Sequence, residues 1–295
     1  MKFKIDQKEK QILINFIKFI PRKIKKNFLR IKWYFFDFTI KNDYEYNLHI
    51  DNNSRVEFDL SIPETAKKVR IDVGLSYHAP QSAAWLELNN DLYVIGIEAN
   101  KYNVARINKY GLWYLKNNLI YKRKINQNFK LLYCAIANVK KPTHLDFYNM
   151  HGDSGTSSLL KPTNKLLKTY NYKIHKITKV PAIPLSTIIE KIPKDKFSLI
   201  ELVKIDTQGS DLEVIKSING HLDRIVCIQV ETSTFGQYEN AGSSNSIINY
   251  LESNNFYEIK ILNWFEGEPV DVIFANKKFD KLANILSLEI QESLY

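Results

Sequence analysis

From about residue 67 the chain alternates short apolar runs with amphipathic segments. Seven runs read as strands, at 67–75 (KKVRIDVGL), 92–100 (LYVIGIEAN), 131–137 (LLYCAIA), 198–206, 224–232, 256–264 and 269–277. Several are almost continuously apolar, as strands are when helices cover both faces of their sheet. Helices fit between them at 79–90, 101–118, 210–219 and 243–254. This alternation predicts an α/β fold with a mostly parallel sheet. The last two strands are joined by a short Glu-Gly-Glu-Pro connection, which predicts an antiparallel hairpin at one edge.

The segment 138–197 breaks the rhythm. It holds the strand-like HLDFYN, the small polar loop MHGDSGTSSL and the run KVPAIPLSTIIEKI. An insertion of this length at the ligand edge of a sheet is expected to shape substrate recognition. The expected organisation is therefore an N-terminal arm at 1–50, a main domain at 51–280 carrying this insertion, and a C-terminal tail at 281–295.

The formal charge of +10 sits mostly in the arm. Residues 1–35 hold 11 Lys or Arg against 2 acids, leaving 31 against 30 for the remainder. Lys18 interrupts the arm's apolar run well short of the roughly 20 residues of a spanning helix. Asp6, Glu9 and Phe-Ile-Pro-Arg argue against a signal peptide. A basic, apolar arm suits an anionic membrane surface, or packing on the domain or on a second subunit. The two cysteines, Cys134 and Cys227, lie inside strand-like runs with no metal-ligand spacing. They read as buried thiols in a reducing cytoplasm, and no metal is expected.

In open α/β sheets ligands bind beyond the carboxyl ends of the strands. Those ends are here Val73-Gly74, Glu98-Ala99-Asn100 and Asp206. Gly74 is expected to let the backbone approach a ligand, and Glu98 stands where an acid accepts hydrogen bonds from ribose hydroxyls. In the loop MHGDSGTSSL, His151 beside Asp153 suits proton transfer near neutrality.

The ordered blocks IDVG (71–74), IGIEAN (95–100), CAIAN (134–138), DSGTSSL (153–159), VPAIPLSTII (180–189), VKIDTQGSDLEVIKSI (203–218) and IQVET (228–232) resemble the FkbM family of methyltransferases. The resemblance implies a class I, Rossmann-like methyltransferase fold of seven strands, the last antiparallel, binding S-adenosylmethionine. It implies a cofactor turn at Asp72, Gly74, Leu75 and Ser76, a ribose acid at Glu98 beside Ala99 and Asn100, and an adenine wall at Cys134-Ala135. Asp206 would face the sulfonium and the acceptor. Asp206, His151 and Glu231 are the candidate bases. Two positions depart from the family: Gln208 stands where an acid is common, and the first turn reads DVGLSYH rather than a turn close to DVGANIG.

The expected function is a cytoplasmic O-methyltransferase, peripheral at the inner face of the membrane, acting on a sugar hydroxyl of a surface glycan or its precursor. The alternatives are a nucleotide-sugar or NAD-dependent oxidoreductase, which lacks G-x-G-x-x-G support, and a catalytically silent module of the same fold. A nucleic-acid methyltransferase lacks the expected Asn/Asp-Pro-Pro-Tyr/Phe motif.

Overall fold

The computed structural model describes residues 48–116, 119–123, 125–232, 236–263 and 270–294. The basic arm lies outside the described residues, as does the Glu-Gly-Glu-Pro connection. No helix among the described residues is long and apolar enough to cross a membrane.

Seven strands form the central sheet: β1 (Lys68–Val73), β2 (Leu92–Glu98), β3 (Phe129–Tyr133), β4 (Ile200–Ile205), β5 (Ile225–Glu231), β6 (Phe256–Asn263) and β7 (Val270–Asn276). Their spatial order is β6-β7-β5-β4-β1-β2-β3. The first five pair in parallel, and β7 runs antiparallel to both β5 and β6. The fold is thus α/β with a mostly parallel sheet. The chain reverses its direction of travel between β1 and β4, the position at which such sheets bind ligands.

Helices α1 (Pro80–Leu88), α2 (Lys101–Tyr110), α3 (Asn164–Tyr170), α4 (Leu185–Glu190), α5 (Asp211–Lys216), α6 (Ser244–Ser253) and α7 (Asp280–Leu294) connect and follow the strands. Two apolar cores result, one on each face of the sheet. Ile71, Ile95, Val203 and Ile228 point into one core with Ile188, Val214 and Leu251. Val94, Leu202 and Cys227 point into the other with Trp85, Ile107 and Leu286.

Three sequence expectations need correction. The helix expected over 101–118 stops at Tyr110, because Gly111 takes φ of 78° and the chain turns into a hairpin of 112–116 with 119–123. The single strand expected at 131–137 is two, since the chain leaves the central sheet at Cys134 and Ala135–Ile136 joins a second, three-stranded sheet. The segment expected as a tail is α7, whose Ala283, Leu286 and Ile290 are buried. Fully buried Arg70 ties that helix down through ion pairs to Glu201 (2.9 Å) and Glu289 (2.8 Å).

The insertion forms a lobe at the carboxyl end of the sheet. Its body is an antiparallel ribbon, Thr143–His151 against Lys173–Ile183, with Ala135–Ile136 pairing along the second strand's end.

Candidate active site

A cleft opens where β1, β2 and β4 end. Gly74, Ser76, Glu98, Ala99 and Asp206 line one side, with Cys134, Ala135 and Ile136 at the switch between sheets. The lobe closes the other side with Phe147, Ser154, Gly155, Ser157 and Leu159. Sheet and insertion therefore share one cavity.

The turn after β1 is shaped by packing. Gly74 has φ of +86°, and a Cβ there would sit 1.8 Å from the Asp206 carbonyl oxygen. Its bare backbone serves the close approach of β1 and β4, and Gly74 also lines the cleft. Asp72 is buried, accepting a hydrogen bond from Ser82 Oγ (2.6 Å) and lying 3.6 Å from Lys204 Nζ. Burial pushes its carboxyl upward against the pull of Lys204. Leu75 enters the core beside Gly96. Neither Asp72 nor Leu75 lines the cleft. Ser76 does, in a left-handed conformation with φ of 58°. His78 stacks on Trp113 at 3.9 Å, and burial, with Arg106 nearby, lowers its pKa to about 3.

Glu98 ends β2 as a buried carboxyl facing the cleft. It accepts from the Asn100 N–H (2.6 Å), the Asn103 side chain and the Ser76 N–H. Burial outweighs these bonds and raises its pKa to about 8. Asn100 does not line the cleft. It caps α2 by accepting from the Tyr102 N–H (3.0 Å) and donates to Ser157 Oγ (3.2 Å), tying lobe to sheet.

The turn after β4 is shaped by polar contacts. Asp211, at the start of α5, accepts from the Thr207 N–H (2.7 Å), the Thr207 hydroxyl (2.9 Å) and the Gly209 N–H (3.0 Å). With the loop amides taken by Asp211, Asp206 is left facing the cleft. Lys204 Nζ donates to Asp206 Oδ2 (3.3 Å) and to the Gly74 carbonyl (3.0 Å), joining both turns. Burial alone would lower the Lys204 pKa, but Asp206, Asp72 and Asp271 outweigh it and hold the ammonium charged.

Gln208, with φ of 57°, donates through Nε2 to Asp206 Oδ1 (2.8 Å) and to Glu231 Oε2 (2.9 Å). Asp206 and Glu231 also hydrogen-bond directly. Burial would raise the Asp206 carboxyl, but Lys204 and these bonds bring it below its ordinary value. Burial and the neighbouring acids Asp206, Asp211 and Asp271 push Glu231 well above its own. The two carboxyls are displaced in opposite directions, so the pair favours sharing one proton between them. The buried Tyr238 hydroxyl lies 3.1 Å from Gln208 Oε1 and 2.7 Å from the Thr156 carbonyl. It links this network to the lobe.

His151 ends the first ribbon strand and is not among the cleft-lining residues; its ring lies 6.1 Å from that of His175. Asp153 caps the short turn Ser154–Thr156. Sequence reasoning missed Tyr238, which stands in the Gly/Asn/Ser-rich stretch 236–246 with no periodic signal. It also missed Asn103, whose place one turn into α2 beside the Asn100 cap was a usable cue.

The donor set suits a nucleoside. The lining combines the buried carboxyl of Glu98 and the hydroxyls of Ser76, Ser154 and Ser157 with the apolar side chains of Ile97, Ala99, Ala135 and Phe147. S-adenosylmethionine presents a ribose diol and an apolar base in that arrangement.

No curated protein matches the chain in sequence. Among solved structures, a human methyltransferase 10 domain containing protein aligns with TM-score 0.34 and 11% identity, over 84% of this chain and 82% of its own. The family model of the methyltransferase FkbM domain matches residues 72–257. That span runs from the buried acid of β1 into β6, taking in the cleft, both turns and the whole insertion, and on it the chain belongs to the FkbM methyltransferase family.

Proposed function

We propose that this methyltransferase uses S-adenosylmethionine to methylate a sugar hydroxyl of a surface glycan or its precursor. The observation that carries the reading is that Glu98 and Asp206 line one cleft, from the ends of β2 and β4 on either side of β1. Family membership speaks against the NAD-dependent alternative.

When bound, S-adenosylmethionine supplies a methyl carbon already activated by its sulfonium. Glu98 would accept from the ribose hydroxyls, Ser76 would face the amino-acid end, and Ala99, Cys134 and Ala135 would flank the base. Asp206, which lines the cleft, would orient an acceptor hydroxyl. Its carboxylate stays ionised beside Lys204 and can take up the hydroxyl proton as the acceptor oxygen loses it. The upward displacement of the Glu231 carboxyl favours one negative charge at the site rather than two. Gln208 holds both carboxyls at fixed distance. An acid at position 208 would add a charge that would have to be neutralised by a proton or a cation. The basic arm would suit work at the cytoplasmic face of a membrane.

Labelled S-adenosylmethionine incubated with lipid-linked and nucleotide sugars should transfer its methyl to a sugar hydroxyl. Asp206→Asn should slow transfer by about 10²–10⁴-fold. Transfer only to acceptors without a sugar hydroxyl would overturn the glycan assignment.

A further inference from the structure

The charge outside the arm is sharply divided. Residues 138–183 carry eight lysines against two aspartates, a net +6, whereas residues 184–295 carry 10 basic and 17 acidic residues, a net −7. The cleft is lined by Asp206 from the acidic half and by Phe147, Ser154 and Leu159 from the basic one.

Part of the lobe's charge is neutralised locally, since Lys179 pairs with Asp146 (3.0 Å) and Lys161 with Glu239 (2.8 Å). Among the described residues no carboxylate lies within ion-pair distance of Lys165, Lys168, Lys173 or Lys176. These four belong to α3 and to the strand that follows it.

One end of the ribbon brings Lys173 together with two histidines. Lys173 and His151 are register partners. Two residues on, the ladder slips between Ile174 and Lys176, leaving His175 as a bulged residue. Bulges commonly re-aim a side chain beside a functional site, and this one brings the His175 ring to 6.1 Å from that of His151. Tyr172 fills the space beside Gly152, where a Cβ would meet its ring at 2.7 Å. Half-exposed Tyr170 stacks on Tyr172 at 5.5 Å. From His151 the chain needs only Gly152 and Asp153 to reach Ser154, which lines the cleft.

We propose that His151, Lys173 and His175 form a docking subsite for the phosphate of a phosphorylated sugar acceptor. The proposal rests on the O-methyltransferase reading and names its acceptor class. A phosphate carries up to two charges and several acceptor oxygens, which match one ammonium and two imidazoles better than a single carboxylate does. The acidic side of the cleft repels the phosphate and the lobe attracts it, so the acceptor enters in one orientation, its uncharged hydroxyl toward Asp206. His151 then belongs to acceptor binding rather than to proton transfer.

Calorimetric titration of the full chain with pyrophosphate, with acetate and with S-adenosylhomocysteine tests this. Pyrophosphate should bind saturably, and Lys173→Gln combined with His175→Asn should weaken it at least tenfold. Lys140→Gln with Lys141→Gln, at the other end of the ribbon, should change it less than twofold. Absent or non-saturable pyrophosphate binding, equal loss in both double variants, or acetate binding as tightly would overturn the proposal. S-adenosylhomocysteine should bind all variants alike. Its binding without pyrophosphate binding sinks the subsite and leaves the proposed function standing, and the reverse result sinks the function and leaves an anion site.

Discussion

The turn after β1 and the turn after β4 meet at one cleft, yet opposite forces hold them in shape. The first is wedged by bulk, with Leu75 in the core, His78 stacked on Trp113 and Gly74 pressed against the Asp206 carbonyl. The second is tied by polar contacts, in which Asp211 collects the loop donors while Gln208 and Lys204 collect the carboxylates. Packing fixes a wall, and hydrogen bonds fix where charge resides. Changes in the first turn should therefore be read in stability, and changes in the second in turnover.

The largest effect expected on the polar side is that of Asp206→Asn, a fall of about 10²–10⁴-fold in methyl transfer with a cooperative unfolding transition retained. Loss of the fold instead would mean that the second turn is structural like the first. On the packed side, Gly74→Ala places a Cβ against the Asp206 carbonyl at a positive φ. Urea unfolding should record a loss of about 3 kcal/mol or more. An unchanged midpoint would contradict the account of that turn.

His78 gives the comparison a pH signature. Its pKa in the folded protein, about 3, lies below the ordinary 6.5. The unfolded chain therefore binds the extra proton first, and stability should fall as pH drops from about 6.5 toward 3. Glu98 works in the opposite sense, because its pKa is raised from 4.5 to about 8. Its contribution is present below pH 4.5 and is lost as pH rises to 8. His78→Gln should flatten the acid limb of a stability–pH curve, and Glu98→Gln should flatten the limb between pH 4.5 and 8. At pH 8 Glu98→Gln should gain about 1 kcal/mol or more, though it removes a group that the proposed cofactor needs. A curve unmoved by either change would place both side chains in contact with water.

Tyr238→Phe is the mildest test. It removes the hydroxyl near Gln208 Oε1 and the Thr156 carbonyl, at a cost of about 0.5–1.5 kcal/mol in stability. A several-fold lower turnover is expected as Gln208 loses one constraint. An unaltered turnover would remove Tyr238 from the network.

Sequence periodicity located the central sheet because β1, β2, β4 and β5 are short apolar runs buried on both faces. It overran at Tyr110 because the residues after Gly111 continue the apolar-polar spacing of the helix, and only the glycine's positive φ marks the stop. At the site, the strand-end positions Ser76, Glu98, Ala99, Cys134, Ala135 and Asp206 line the cleft. Asp72, Leu75 and Asn100 are their chain neighbours and turn elsewhere, because successive residues of a turn face different neighbours. The proton shared by Asp206 and Glu231 was not legible, since 25 residues and a helix separate two acids that only β4–β5 pairing brings together. An imidazole beside Asp153 in a polar loop made His151 a candidate base, but strand pairing carries it to the ribbon's end.

The most direct test of the central claim, that Glu98 and Asp206 define one cofactor cleft, is titration of S-adenosylhomocysteine into the wild-type chain and into Glu98→Gln by calorimetry at pH 8. One site per chain is expected, with affinity weakened about tenfold by the substitution, as the loss of a carboxyl partner for the ribose hydroxyls implies. No binding to the wild type, or equal binding to both, would contradict it.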